Sequence, residues 1–218
     1  MKKITLATVT ALTLLSTAAM AQGYAVGLTG GTMGLGVEAT TDLTRNINVR
    51  ALAAGFTYSK DGTSGTNINY QGTAKLLNAG VILDYYPFEN GLRLSAGGIY
   101  NGTKVTLDGQ PNAGGTYTIN GTTYSAADVG TVSGEAKYQK IMPYVGIGFA
   151  NPIKGSSFTF GCDVGAMFGK ATTTLTASNP TNDATLAANV AAEEVKLQDE
   201  ANKLSFYPVI QFNVAYRF

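Results

Sequence analysis

Apolar residues recur at every second position from Phe206 to the last residue: Phe206, Pro208, Ile210, Phe212, Val214, Tyr216 and Phe218, with Gln211, Asn213 and Arg217 among those between. A period of two sends alternate side chains to opposite faces of a strand. The segment therefore reads as a β-strand with one apolar and one wetter face. The same pattern runs through 77–85, where Leu77, Ala79, Val81, Leu83 and Tyr85 oppose Asn78, Gly80 and Asp84. It recurs at 158–168, where Phe158, Phe160, Cys162, Val164, Ala166 and Phe168 oppose Thr159, Gly161, Asp163 and Gly165. A chain patterned in this way must fold as half-apolar strands.

Turn signals divide it into eight such segments, near 23–30, 33–41, 47–59, 69–86, 92–106, 135–149, 156–174 and 203–218. Short connections at 41–46, 87–91 and 151–156 alternate with longer ones at 60–68, 107–134 and 175–202, and the first connection, Gly30-Gly31-Thr32, is short but falls in the long series. Beyond residue 21 no apolar run approaches the roughly 18 residues of a membrane-spanning helix. A closed barrel is the remaining route across a bilayer. The predicted fold class is all-β: an eight-stranded antiparallel up-and-down transmembrane β-barrel occupying 22–218. A soluble barrel or sandwich also alternates, with its apolar face inward. Two features favour the membrane. Tyr24, Tyr85, Phe149, Phe158, Tyr216 and Phe218 gather at one end of the apolar face, as an interfacial girdle does. The opposite face is rich in glycine and charge, which makes a poor soluble core.

Residues 1–21 read as a cleaved secretory signal: Lys2 and Lys3, a mostly apolar stretch from Ile4 to Leu15, then Ala19-Met20-Ala21. Its removal takes two lysines and moves the formal net charge from +1 to −1. No basic excess is left to suggest nucleic acid. Cys162 is the single cysteine, so no internal disulfide is expected.

The layout resembles the small eight-stranded bacterial outer-membrane β-barrel family, of the OmpA, OmpX and OmpW type. The resemblance rests on the alternation and on the ending Tyr216-Arg217-Phe218. It implies a bacterial outer-membrane location, contact with outer-membrane lipid, and recognition of Tyr216 and Phe218 as an insertion signal by the barrel assembly machinery. It places the short turns on the periplasmic side and carries over no catalytic residue.

Alternation assigns Glu38, Arg50, Asp84, Arg93, Asp163 and Arg217 to the lumen, three acids and three bases. An eight-stranded barrel is just wide enough for side chains to fill. Charges there must be paired and hydrogen-bonded. A turn symmetric about Thr44 sets Glu38 across from Arg50; one centred between Phe88 and Glu89 sets Asp84 across from Arg93. Two functions stay open. In one, the ion pairs plug a structural or surface-interaction protein. In the other, they constrict a narrow channel for small or hydrophobic solutes. Inward glycines such as Gly97, Gly146, Gly148 and Gly165 either make room for Arg93 and Tyr144 or leave a cavity.

The chain has no histidine. That removes Ser–His and His–metal chemistry, so no enzyme, cofactor or metal site is expected. The run Gly30 to Gly36 lacks the lysine and helix of a phosphate loop. Pro143 and Pro208 lie inside strands and predict at least one bulge. The third strand has either a partly apolar lumen face or a bulge near Ala51. Residues 183–202 predict a helix capped by Asp183, with Leu186, Val190 and Leu197 near one stripe. Asn120-Gly121 predicts a hairpin turn.

Overall fold

Half-apolar strands satisfy their backbone groups and hide one face by closing into a ring. The structure, a computed structural model, describes residues 23–63, 68–88, 90–111, 114–154, 156–179 and 181–218. The proposed signal segment lies outside these. In chain order the strands are β1 (Tyr24–Gly31), β2 (Gly34–Thr44), β3 (Ile47–Thr63), β4 (Ile68–Tyr85), β5 (Leu92–Asn101), β6 (Lys104–Pro111), β7 (Thr116–Ile119) and β8 (Thr122–Ser125). A short helix α1 (Ala126–Val129) precedes β9 (Val132–Tyr138), β10 (Ile141–Phe149), β11 (Phe158–Phe168) and β12 (Ala171–Ala177). Helix α2 (Ala184–Asn202) and β13 (Phe206–Arg217) complete the fold.

Eight of these strands form the barrel, in the order β1, β2, β3, β4, β5, β10, β11, β13 and back to β1, each pair antiparallel. Alternation sets the faces as the sequence predicts. On β13, Val209, Gln211, Asn213 and Ala215 are buried in the bore, whereas Phe206, Ile210, Phe212, Val214 and Tyr216 are exposed outside. Leu28, Val81, Ile147, Phe160 and Cys162 extend the exposed outer band.

Three of the predicted strands divide at the rim, and β3 and β4 run past it unbroken. Segment 92–106 divides at Gly102-Thr103, 135–149 at Gln139-Lys140, and 156–174 at Gly169-Lys170. Their outer pieces rise past the rim and pair as β3-β4-β6-β9-β12. The wall is continuous there: Asn78 pairs with Asn101, and three residues further Lys75 pairs with Lys104 in the same register. The β1–β2 side stops low, at the tight connection after Gly31, where Gly34 has φ +108°. Gly34 faces the Gly55 backbone so closely that an added methyl would touch it at 2.9 Å. Only glycine meets both demands.

Helix α2 crosses the inner face of this raised sheet. Gln198 accepts from the Thr173 amide at 2.8 Å and donates to the Ala171 carbonyl at 3.1 Å. Asp183 caps the helix by accepting from the amides of Thr185 and Leu186, a contribution of about 1 kcal/mol. Its other contact is the hairpin β7–β8, whose turn has Asn120 and Gly121 at φ 51° and 80°. Leu186 is fully buried with Tyr117, Ile119, Ala126 and Val129. Leu197, read as part of the same stripe, is 41% exposed and faces the sheet instead.

Neither proline needs a bulge. Pro143 pairs with Gly98 in unbroken register, and the β10–β11 ladder begins only at Tyr144. Pro208 pairs with Ala166, beyond the last β1–β13 pair at Gly31 and Gln211. Each sits where one flanking ladder has ended, so the missing amide costs no bond on that side. The third strand keeps its register from Asn48 past Ala51, and its one irregularity lies opposite Ile47, between Asp42 and Thr44. Asn48, Arg50, Leu52 and Ala54 all face inward, because the bore itself changes from polar to apolar along β3.

Candidate functional site

The bore is stratified. Its outer half holds Met33, Leu52, Ile82, Ile99, Met142, Tyr144, Met167 and Val209, with Tyr138 and Tyr207 packed above them. The rings of Tyr138 and Tyr207 meet edge to face at 5.7 Å. The half nearer the short turns holds ions.

Arg50 comes from β3, Asp84 from β4, Arg93 from β5 and Asp163 from β11. Each is placed inward by strand alternation, and none is more than 4% exposed. The Arg50 guanidinium donates twice to Asp84, from Nε to Oδ2 at 2.8 Å and Nη2 to Oδ1 at 2.9 Å. It also reaches the far wall, where Nη1 donates to Asp163 Oδ2 at 3.1 Å. Arg93 grips the same Asp163 with Nε at 3.0 Å and Nη2 at 2.7 Å. Asn213 donates to Asp163 at 3.0 Å, and Ser95 to Asp84 at 2.6 Å. Fork-on-carboxylate pairs of this kind are directional as well as strong. Between Arg93 and Asp163 runs β10, whose Gly148 pairs with both residues. A methyl at Gly148 would meet Arg93 Nε at 2.7 Å, and one at Gly146 would meet Tyr144 Cζ at 2.8 Å. These glycines make room for long neighbours.

The partners differ from those the turns predict. Arg50 lies across from Thr40, and Glu38 across from Leu52. Glu38 meets Arg50 diagonally at 3.5 Å, and its Oε2 accepts no hydrogen bond. Asp84 lies across from Ser95, with Arg93 Nε 3.9 Å away. Both registers are offset by two residues from the symmetric turns, partly through the irregularity between Asp42 and Thr44. Arg217 is not part of the cluster. It sits at the rim and donates to the Ile153 carbonyl at 2.7 Å. The cluster thus has three carboxylates around two guanidiniums.

Sequence reasoning missed the floor. The connection after β10 folds back under the bore. The Ala150 carbonyl, behind a φ of 135°, accepts from Arg93 Nη1 at 2.6 Å and from the Tyr86 hydroxyl at 3.2 Å. Asn151 accepts from Asn48 and from the amides of Ile153 and Lys154. Ile153 is buried against Ala25 and Ala215. An isoleucine inside an otherwise polar turn was the available signal. At the same rim the predicted insertion residues pack together: Phe158 tilted against Tyr216 at 5.0 Å and Tyr216 edge to face with Phe218 at 5.1 Å.

The barrel fold has solved counterparts. CarO2 of Acinetobacter baumannii superposes with a TM-score of 0.61 at 21% identity, covering 90% of this chain and 98% of that one. This is the fold of a small outer-membrane β-barrel. CarO of the same organism gives 0.58 at 22% identity, covering 90% and 97%. A major outer-membrane protein of Thermus thermophilus gives 0.50 at 13% identity, covering 91% and 100%. No family model matches the chain, and no curated protein does. The outer apolar band agrees with these likenesses in seating the barrel in the bacterial outer membrane.

Proposed function

We propose that the protein is a non-enzymatic barrel with a structural or surface-interaction role, its lumen plugged by ion pairs. The observation that carries this reading is Asp163, whose carboxylate is held from one side by Arg93 and from across the bore by Arg50. Ile99, Met142 and Met167, all at 0% exposure, fill the space above. The Ala150–Lys154 floor supports it below. A polar bore crossed by paired ions and capped with side chains offers water no continuous file. Outer-membrane lipid is its solvent, and Tyr216 and Phe218 are the residues the assembly machinery would read. Planar-bilayer recording tests the proposal: the purified protein is expected to give no discrete conductance steps.

One observation favours a second reading, a narrow channel for small or hydrophobic solutes. A cleft of about 700 Å³ opens between α2 and the raised sheet, lined by Leu76, Val105, Ala136, Leu197, Leu204 and Tyr207. It lies directly over the Tyr138–Tyr207 pair. A solute route would have to displace that pair and then the ion cluster.

A further inference from the structure

The outer face of the raised sheet is charged in layers. On β4, Lys75 lies two residues past Leu77 and therefore on the same, lipid-facing side. Lys75 pairs directly with Lys104 of β6, and Lys104 with Lys137 of β9. Directly paired residues share a face, so the three ammonium groups form one row around the barrel. The side chains of Lys104 and Lys137 are 45% and 51% exposed, and Lys75 is exposed as well. Below the row are Leu77, Tyr100 and Ile141, the last outward apolar residues of their strands. Above it the next pairs are Thr73 with Thr106 and Thr106 with Glu135, then Gln71 with Asp108. The cationic layer is thus one residue pair tall and stands where apolar wall gives way to polar wall.

Like charges directly opposite one another on neighbouring strands repel. A single carboxylate, Glu135, answers the row, accepting from Lys104 and Lys137 at 2.9 Å each. Three lysines against one glutamate leave an excess of two positive charges. A face needed only for solubility is served better by interspersed signs. The strand spacing of about 4.8 Å sets the cations close enough to engage several phosphate oxygens at once.

We propose that Lys75, Lys104 and Lys137 form a docking row for the phosphate groups of phosphorylated lipids in the surrounding outer leaflet. The row lies at headgroup height, and its excess charge is of the sign such lipids complement. The assignment rests on the membrane seat of the barrel and is independent of whether the bore conducts.

The test is titration of the purified protein, in neutral-detergent micelles, with a fluorescent bis-phosphorylated glycolipid. The variant Lys75→Gln/Lys104→Gln/Lys137→Gln is expected to bind roughly a hundredfold more weakly, on the scale of a polybasic segment at an anionic surface. Lys60→Gln/Lys154→Gln/Lys203→Gln, with equal charge loss elsewhere, is expected to bind within about threefold of the parent if each lost charge acts locally at this ionic strength. The dephosphorylated glycolipid is expected to bind the parent and the row variant alike. In lipid-free detergent the row variant, relieved of repulsion, is expected to retain heat-shifted gel migration. Equal glycolipid binding by the row variant and the parent would overturn the proposal. So would equal binding of both glycolipids by the parent. Complete displacement of the lipid by millimolar inorganic phosphate would reassign the row to free anions and overturn it too.

Discussion

Arg50 and Asp163 stand on opposite walls of the barrel, four strands apart in either direction around the ring, and are bonded at 3.1 Å. Neighbouring strands hold each other by backbone ladders. This pair ties together walls that share none. Asp163 accepts hydrogen bonds from both guanidiniums, whereas Asp84 accepts from Arg50 with Arg93 at 3.9 Å and Glu38 touches only Arg50 at 3.5 Å.

The two acids should therefore respond differently to neutralisation. Asp163→Asn takes from buried Arg93 the carboxylate it grips with two bonds, while Arg50 keeps Asp84, and is expected to cost about 3–5 kcal/mol, the usual penalty for breaking a buried pair. Glu38→Gln removes a buried oxygen that accepts no hydrogen bond and is expected to change stability by less than about 1 kcal/mol. Denaturant unfolding in detergent, followed by the heat-sensitive gel shift, measures both. Equal losses would contradict the hierarchy.

Gly148 tests the same cluster from the backbone. Gly148→Ala puts a methyl against the Arg93–Asp163 pair, closest to Asp163 Oδ1 and 2.7 Å from Arg93 Nε. Arg93 must then leave Asp163 or the strand must shift. A loss of about 2–4 kcal/mol is expected in the same assay, on the scale of overpacking plus a weakened buried pair. Gly98→Ala, with nothing within 4 Å of the added carbon, is the control and should be close to neutral.

These residues also show how far the sequence could be read. Face assignment succeeded because lipid and lumen impose opposite demands on alternate residues, so Arg50, Asp84, Arg93 and Asp163 all turn inward as alternation requires. Partner assignment failed because register depends on turn geometry. A slip of two residues preserves every face while changing every partner. That is what makes Glu38 and Arg50, and Asp84 and Arg93, diagonal neighbours at 3.5 and 3.9 Å rather than directly opposite pairs. Arg217 has the lumen parity but lies one strand-end too low to reach the cluster. The breaks at Gln139-Lys140 and Gly169-Lys170 carry no Pro and no Asn-Gly. The wall changes neighbours there without a turn, which periodicity cannot register. Helix α2 and the Asn120-Gly121 hairpin were legible because capping and left-handed turn residues are local signals.

Outside the membrane, Glu135 offers a pH test. Hydrogen bonds from Lys104 and then Lys137 hold its carboxyl below the ordinary glutamate range. A depressed value in the folded state means that the clasp contributes stability above the unfolded-state value. That contribution is lost as pH falls through the lower folded value. Carboxyl carbon NMR should show the Glu135 midpoint below the ordinary glutamate range. Lys104→Gln should raise it. A midpoint within or above that range would contradict the geometry.

The docking of α2 can be broken without touching the barrel. Leu186 is completely buried against the β7–β8 hairpin. Leu186→Asp places a charge in that contact and should release the helix. Limited proteolysis in detergent should then cut within 184–202 at least tenfold faster, on the view that cleavage tracks the population of the opened segment. Heat-shifted migration of the barrel should be unchanged. Protection equal to the parent would show that Leu186 does not hold the helix.

Single-channel recording of the purified protein in planar bilayers, beside Arg50→Ala and Arg93→Ala, tests the proposed seal of the bore most directly. If the Arg50–Asp84–Arg93–Asp163 cluster and its apolar cap close the lumen as proposed, the expected result is a silent bilayer for the unaltered protein over the full voltage range. Discrete steps from that protein, changed in size by either arginine variant, would contradict the seal and make the cluster the constriction of an open channel.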